Sequence, residues 1–396
     1  MDRPPRHVLP VIAVSQFAGT SLWFAVNAVL PDLQRAVALP DAAVGWLTGA
    51  VQLGFIAGTL AFAVLAVADR FSPTRVFLAC SLVGSALAVA TTLLPPSLGG
   101  LIALRFLTGI CLAGIYPVGM KIAASWYAQG LGLALGVLVG ALVLGTALPF
   151  GLRAVGAAWP WQGVMLAVAA FAAGGGVLMA LAVRDGPHLA PAARLSPRAL
   201  AVVWRNVRLR ASALGYFGHM WELYAFFVLL PAIVAPRWRG AVADGWVFTV
   251  IAVGALGCVG GGLLVRRVGG ARVAAAQLAC SGACGLAAPW LLGAPMPVFA
   301  GWLLLWGVTV VGDSPQYSAL TANNAPRDQV GSVLTLVNSL GFALSTLTVG
   351  LFAALAAHWP LERLLPWLAL GPALGLLAMR PLLRDAGEPA LAKSHP

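Results

Sequence analysis

Three ionisable side chains of this sequence stand where charge is unfavourable: Arg105, Glu222 and Asp313 each interrupt a long apolar run. A charge at the centre of a lipid-embedded helix costs about 2.5 to 3.5 kcal/mol on insertion scales, so each is expected to face a cavity or a partner. Helical spacing extends them into stripes, because positions three or four apart share a face. Tyr216, His219 and Glu222 follow at intervals of three and join an aromatic ring, a titratable imidazole and a carboxylate. Asp313 is followed by Gln316 and Tyr317, and Arg105 shares its apolar run with Tyr116. Gln16, Thr20, Trp23 and Asn27 make a further polar stripe near the N-terminus. Aromatic walls with a few convergent polar groups suit the binding of a small molecule. The carboxylates suit proton binding and release, since desolvation disfavours their charged form. On this reading Glu222 or Asp313 loads and releases a proton, while Arg105 meets either an anionic solute group or an embedded acid. The structural alternative makes Trp23 and Tyr216 packing residues, Gln16, Thr20 and Asn27 interhelical hydrogen-bonders, and His219 with Glu222 a buried pair.

Enzymatic chemistry is poorly supplied. Of five His, four (His7, His188, His358 and His395) lie at or beyond the ends of the apolar runs. The five Cys, at 80, 111, 258, 280 and 284, fall inside apolar stretches, where a thiol behaves as a small hydrophobe. Cys280 and Cys284 are one helical turn apart, but no His or carboxylate stands beside them to complete a metal site. The run from Gly257 to Gly262 has the glycines of a dinucleotide loop without a preceding strand. No catalytic residues, metal or cofactor are expected.

The elements that must position these side chains follow from composition. The chain of 396 residues is 60% hydrophobic and 9% charged, against roughly 25% charged in an ordinary soluble domain. A membrane helix needs about 20 mostly apolar residues. Runs bounded by Pro, Gly and charges place helices near 8–30, 44–66, 75–95, 99–121, 130–152, 162–183, 211–235, 246–265, 273–293, 297–319, 330–352 and 364–383. The first, preceded by Arg3 and Arg6, resembles a secretory signal but exceeds the roughly 7 to 15 apolar residues of one. The longest polar stretch, 184–210, carries six Arg and three Pro and divides an N-terminal six-helix unit, 1–183, from a C-terminal one, 211–396. The net charge of +12 comes from Arg and Lys between the apolar runs, and is read as topology rather than nucleic-acid binding. Eighteen of the 24 cations collect on the side of both termini and five on the other, which assigns the termini to the cytoplasm.

An internal repeat appears when the halves are slid by about 198 residues. Gly109, Gly114 and Pro117 are matched by Gly307, Gly312 and Pro315, and the loop from Ala68 to Arg75 by that from Val265 to Arg272. Phe17, Ala25, Leu30 and Pro31 are matched by Phe217, Ala225, Leu230 and Pro231. Agreement of three sites at nearly one offset indicates a duplication, which many transporter folds contain.

Over almost its whole length the chain resembles the major facilitator superfamily. That family's loop pattern, Gly-x-x-x-Asp-Arg-x-Gly-Arg-Arg, is met by Asp69, Arg70 and Arg75, with Leu65 and Ser72 where Gly is usual. In the second half Gly262, Arg267, Gly269 and Arg272 fit, but Arg266 replaces the acid. Arg105 and Gly109 meet a second family pattern, whereas Gly136, Gly145, Pro149 and Gly151 meet the antiporter pattern only in part. The resemblance implies an all-α membrane protein of twelve transmembrane helices in two pseudo-symmetric six-helix bundles, with a central cavity lined by helices one, four, seven and ten. It also implies a cytoplasmic gate of Asp69, Arg70, Arg75, Arg267 and Arg272, in which a carboxylate at the end of one helix faces Arg and a neighbouring helix N-terminus; with Arg266 in place of the acid, only the first-half latch, centred on Asp69, is expected to work fully. For the arginines the plain alternative is positive-inside anchoring.

The expected function is secondary transport of a small organic or drug-like solute, proton-coupled, by a multi-pass monomer in the lipid bilayer of the bacterial inner membrane. Its partners are that solute and protons, with no nucleic acid. The alternatives are uptake of a small anion and, from another class, a non-transporting sensor or assembly factor on the same scaffold.

Overall fold

The computed structural model of the protein describes residues 4–40, 42–93, 97–127, 131–189, 198–327 and 329–385, apart from the side chains of Asp69, Leu131, Arg198 and Asp385. Among the described residues, twelve helical segments are long and apolar enough to cross a membrane. They are α1 (Val8–Val37), α2 (Ala43–Val64), α3 (Pro73–Leu93), α4 (Leu98–Trp126), α5 (Gly132–Val155) and α6 (Trp161–Ala182), followed by α7 (Val207–Val234), α8 (Gly240–Val268), α9 (Gly270–Leu291), α10 (Met296–Asn324), α11 (Val330–Ala356) and α12 (Leu361–Ala378). Each predicted helix has its counterpart, and the differences lie at the ends. α1 runs through Pro31 because the next turn is amphipathic. Leu33 is buried there, and Arg35 Nε donates to the Pro31 carbonyl at 3.2 Å. α7 begins earlier than apolarity suggests because the Asn206 side chain accepts from the N–H groups of Arg208 and Leu209, at 3.0 and 3.1 Å, and caps the helix.

Helices α1 to α6 pack mainly on one another, as do α7 to α12, and the two groups meet where α2 crosses α11 and α5 runs along α8. An even number of crossings puts the start of α1 and the end of α12 on one side, the terminal side. The other is the distal side.

The repeat is visible in this packing. A Cβ at Gly109 of α4 would fall on the Val51 carbonyl of α2, and one at Gly307 of α10 would fall on the Val250 carbonyl of α8. Gly54 meets the Phe106 carbonyl in the first pair, and Gly257 the Val308 carbonyl in the second. Small residues let backbones approach closely where lipid supplies no hydrophobic drive between helices. The glycines of the sequence repeat therefore mark one crossing made twice.

Among the described residues four spans are discontinuous: α1 between Thr20 and Ala25, α8 at Val253, α10 at Asp313, and α12, which turns 3-10 over Leu365–Ala369. At membrane depth the freed backbone groups need partners. In α1 the Trp23 N–H donates to the Thr20 carbonyl at 3.0 Å. Arg105, reaching from α4, donates to the carbonyls of Leu22, at 2.9 Å, and Trp23. In α10, Pro315 has no N–H to continue the ladder. The helix restarts with Gln316 and Tyr317 donating to the Asp313 carbonyl at 3.0 and 3.1 Å. Its repeat partner Pro117 lies inside an unbroken α4, so the duplication is not conformationally exact at this point.

Candidate functional site

Where the two groups of helices face each other, a cavity of about 30 Å³ is lined from the first group by Tyr116 (α4), Val139 and Leu142 (α5). The second group contributes Tyr216, Met220, Leu223 and Tyr224 (α7), Val311, Ser314 and Ser318 (α10), and Asn338 and Phe342 (α11). The α7 contributors recur at i, i+4, i+7 and i+8, one helical face. That volume is about one water molecule's share of the liquid, so this conformation is a compact one.

The distal side of the cavity is closed twice. The inner closure is aromatic: Trp23 (α1) and Tyr224 (α7) stack with centroids 5.9 Å apart, Phe55 (α2) and Phe342 (α11) lie 4.6 Å apart, and Trp23 is 4.9 Å from Phe55. Rings from both groups interlock across the interface, and offset pairs of this kind add stabilisation beyond their burial. The outer closure is ionic. Asp32 (α1) pairs with Arg35 and Arg153 (α5), and Arg153 Nε reaches Asp244 (α8) at 3.1 Å. Only the last contact joins the two groups of helices. The sequence offered a signal for this cluster, since any acid is informative in a chain with 12 Asp and Glu. Nothing in the spacing pairs Asp32 with Asp244.

Behind the cavity wall lies a buried pair. His219 Nδ1 (α7) is 2.8 Å from Asp313 Oδ1 at the break of α10, and both side chains are 1% exposed. Beyond this contact none of the four polar atoms of the pair has a hydrogen-bond partner among the described residues. Tyr216 stacks on the imidazole at 5.9 Å and separates it from the cavity, and Ser314, next to Asp313 in the chain, is also in the wall. The break at Asp313 turns its carboxylate toward α7 while Ser314 and Ser318 face the other group of helices.

Glu222 points elsewhere. One oxygen, Oε1, accepts from Ser281 Oγ (α9) and Trp306 Nε1 (α10), both at 2.7 Å, inside the second group of helices. Residues three apart on α7 thus divide between the cavity (Tyr216), α10 (His219) and the α9–α10 groove (Glu222), since three steps of 100° drift round the helix. The other sequence-singled residues lie around the wall rather than in it. Gln16 is buried against Gly119 without a hydrogen-bond partner, Thr20 donates to the Gln16 carbonyl at 2.8 Å, and Asn27 donates to Thr48 Oγ1 at 2.7 Å. Gln316 donates to the Gly312 carbonyl at 3.3 Å, and Tyr317 Oη to Met379 Sδ at 3.2 Å. Of the residues singled out in the sequence, Tyr116 and Tyr216 line the cavity. Tyr224, Ser314, Ser318 and Asn338 were missed because single hydroxyl and amide groups carry no insertion penalty large enough to mark them.

On the terminal side, Arg70, Arg75, Arg267 and Arg272 are exposed, and the side chain of Asp69 lies outside the described residues. The start of α3 is held by Asp185. Its Oδ1 accepts from the Thr74 N–H and Oγ1, both at 3.3 Å, and Lys121 Nζ donates to the Ala68 carbonyl at 2.9 Å.

The family model described as Major Facilitator Superfamily matches residues 12–350. Among solved structures, the human organic anion transporter MFSD10 (TETRAN) is 18% identical with a TM-score of 0.69, over 95% of this chain and 100% of that one. A variant of the nucleoside transporter NupG is 10% identical with a TM-score of 0.70, over 95% of this chain and 99% of that one. At these identities the likeness is one of fold. No curated protein matches.

Proposed function

The chain belongs to the Major Facilitator Superfamily, and on that premise we propose that it is a proton-coupled secondary transporter of a small organic solute, working by alternating access in the bacterial inner membrane. The observation that carries this reading is the His219–Asp313 pair. Two titratable groups, both buried and without further hydrogen-bond partners among the described residues, join α7 to the break of α10 one layer behind the cavity. A buried carboxylate left with an incomplete set of partners is unfavourable. A proton entering or leaving it changes the contact between two helices of the cavity wall, which is the coupling that alternation needs. Glu222, hydrogen-bonded within its bundle, is a structural acceptor in this scheme. Arg105, engaged with two α1 carbonyls, holds the α1 break rather than an anion.

The two halves, 1–183 and 211–396, rock about the cavity, with 184–210 as the link between them. The excess of cations on the terminal side supports a cytoplasmic location for it. In this scheme the latch around Asp69, Arg70, Arg75, Arg267 and Arg272 holds the terminal side when that side closes.

The test is reconstitution in liposomes with an imposed pH gradient. Asp313→Asn and His219→Gln should abolish gradient-driven accumulation while leaving solute counterflow, which needs no net proton movement. Undiminished accumulation in both variants sinks the coupling assignment.

A further inference from the structure

We infer that the transported solute is uncharged, contains a planar ring and carries several hydrogen-bonding groups; this rests on the cavity's being the transport site. Six polar side chains converge on it: the hydroxyls of Tyr116, Tyr216, Tyr224, Ser314 and Ser318 and the amide of Asn338. Among the described residues none of the six makes a side-chain hydrogen bond within the protein. Serines in helices ordinarily donate to the carbonyl of the preceding turn, as Ser212, Ser125 and Ser345 do here. Ser314 and Ser318 do not. Polar groups kept unpaired at membrane depth are unfavourable unless something completes them. A cavity of about 30 Å³ leaves water to do so in the compact state, and the solute replaces it when the halves part.

Among the described residues no ionisable side chain other than the three phenols lines this cavity. The charges nearest by sequence are committed elsewhere: Asp313 to His219, Arg105 to α1, and Glu222 to Ser281 and Trp306. An ionic solute would therefore enter a low-dielectric site with no counter-charge, whereas a neutral one meets five hydroxyls and an amide that both donate and accept. The rings set the shape. Tyr116 stands on the first group of helices and Tyr216 and Tyr224 on the second, and Phe342 packs 5.5 Å from Tyr224. A flat ring between opposing aromatic faces, edged by Ser314, Ser318 and Asn338, uses the aromatic and polar residues of the wall.

The test is equilibrium binding to the purified protein at fixed pH, which does not depend on proton coupling. The probes are matched sets: phenyl β-glucoside and uridine as neutral ring compounds, phenyl β-glucuronide and uridine monophosphate as anions, an aminomethyl-phenyl glucoside as a cation, and methyl glucoside as a neutral compound without an aromatic ring. At least one neutral ring compound should bind, roughly a hundredfold tighter than its charged counterpart. Asn338→Leu and Ser318→Ala should each weaken it by about tenfold with thermal unfolding unchanged. Binding of a charged probe as tight as that of its neutral partner overturns the inference, as does cation binding lost in Asp313→Asn, or no binding by either neutral ring compound. Neutral binding without pH-driven flux would instead count against the coupling, and pH-driven flux of a charged solute against the substrate class alone.

Discussion

Replacing Arg153 by Gln should shift the protein toward its distal-open state, because one contact of this side chain spans the two bundles. Arg153 holds Asp32 inside the N-terminal half and Asp244 across the interface, and the three side chains are 21 to 22% exposed. An exposed ion pair contributes about 0.2 to 1 kcal/mol, and a hydrogen bond to a charged group about 1.5 to 3 kcal/mol. The mostly buried Arg153–Asp244 contact falls between, at roughly 1 to 2 kcal/mol. The Asp32 contact moves with Arg153 during rocking, so it adds little to the difference between states. The expected change in the open-to-closed ratio is then about 5- to 30-fold. Spin labels at Ala157 and Val242, in a background with the five unexposed native Cys replaced, report the separation of the distal ends of α5 and α8 by double electron–electron resonance. Asp244→Asn should reproduce the shift and Asp32→Asn should produce less of it. Unchanged distance populations in Arg153→Gln, or an Asp32→Asn effect equal to that of Asp244→Asn, would refute the assignment of the cross-bundle contact as the distal latch.

Removing the Arg105 guanidinium should orphan the Leu22 and Trp23 carbonyls. Arg105→Ala is expected to lose about 3 kcal/mol or more of stability, read by thermal unfolding in detergent, with any binding defect equal for anionic and neutral solutes. Glu222→Gln keeps an acceptor for Ser281 and Trp306 and should unfold near the parent temperature with pH-driven uptake intact. Glu222→Ala strands both donors at about 1 to 3 kcal/mol each. Gly307→Ala and Gly109→Ala place a methyl on a neighbouring carbonyl and should each destabilise by about 1 to 3 kcal/mol. Gly350→Ala, which meets nothing within 4 Å, is the neutral control.

Much of the architecture was legible in one dimension because the bilayer reduces folding to a length and polarity test. Each span must be apolar and must satisfy its own backbone, so twelve apolar runs gave twelve helices. The glycine repeat showed the duplication, and only in the structure do Gly109 and Gly307 fall at the α2–α4 and α8–α10 crossings, where close backbone approach excludes a Cβ. The embedded charges were also visible, as their insertion penalty makes them rare. Their partners were not. His219 found Asp313 across 94 positions of chain, Arg105 found the carbonyls of a break in α1 that no residue type announces, and Glu222 turned to α9 and α10. Spacing of three gives a shared face only approximately, and which neighbour occupies each direction is set by how twelve helices pack. The sequence by itself therefore determined the spans, the duplication and the identity of the buried charges. Tertiary structure alone decided that those charges are engaged away from the cavity, Asp313 with His219, Arg105 with two carbonyls and Glu222 with two neutral donors, while uncharged phenols, serines and an asparagine line it, because orientation about a helix axis depends on the neighbours it packs against.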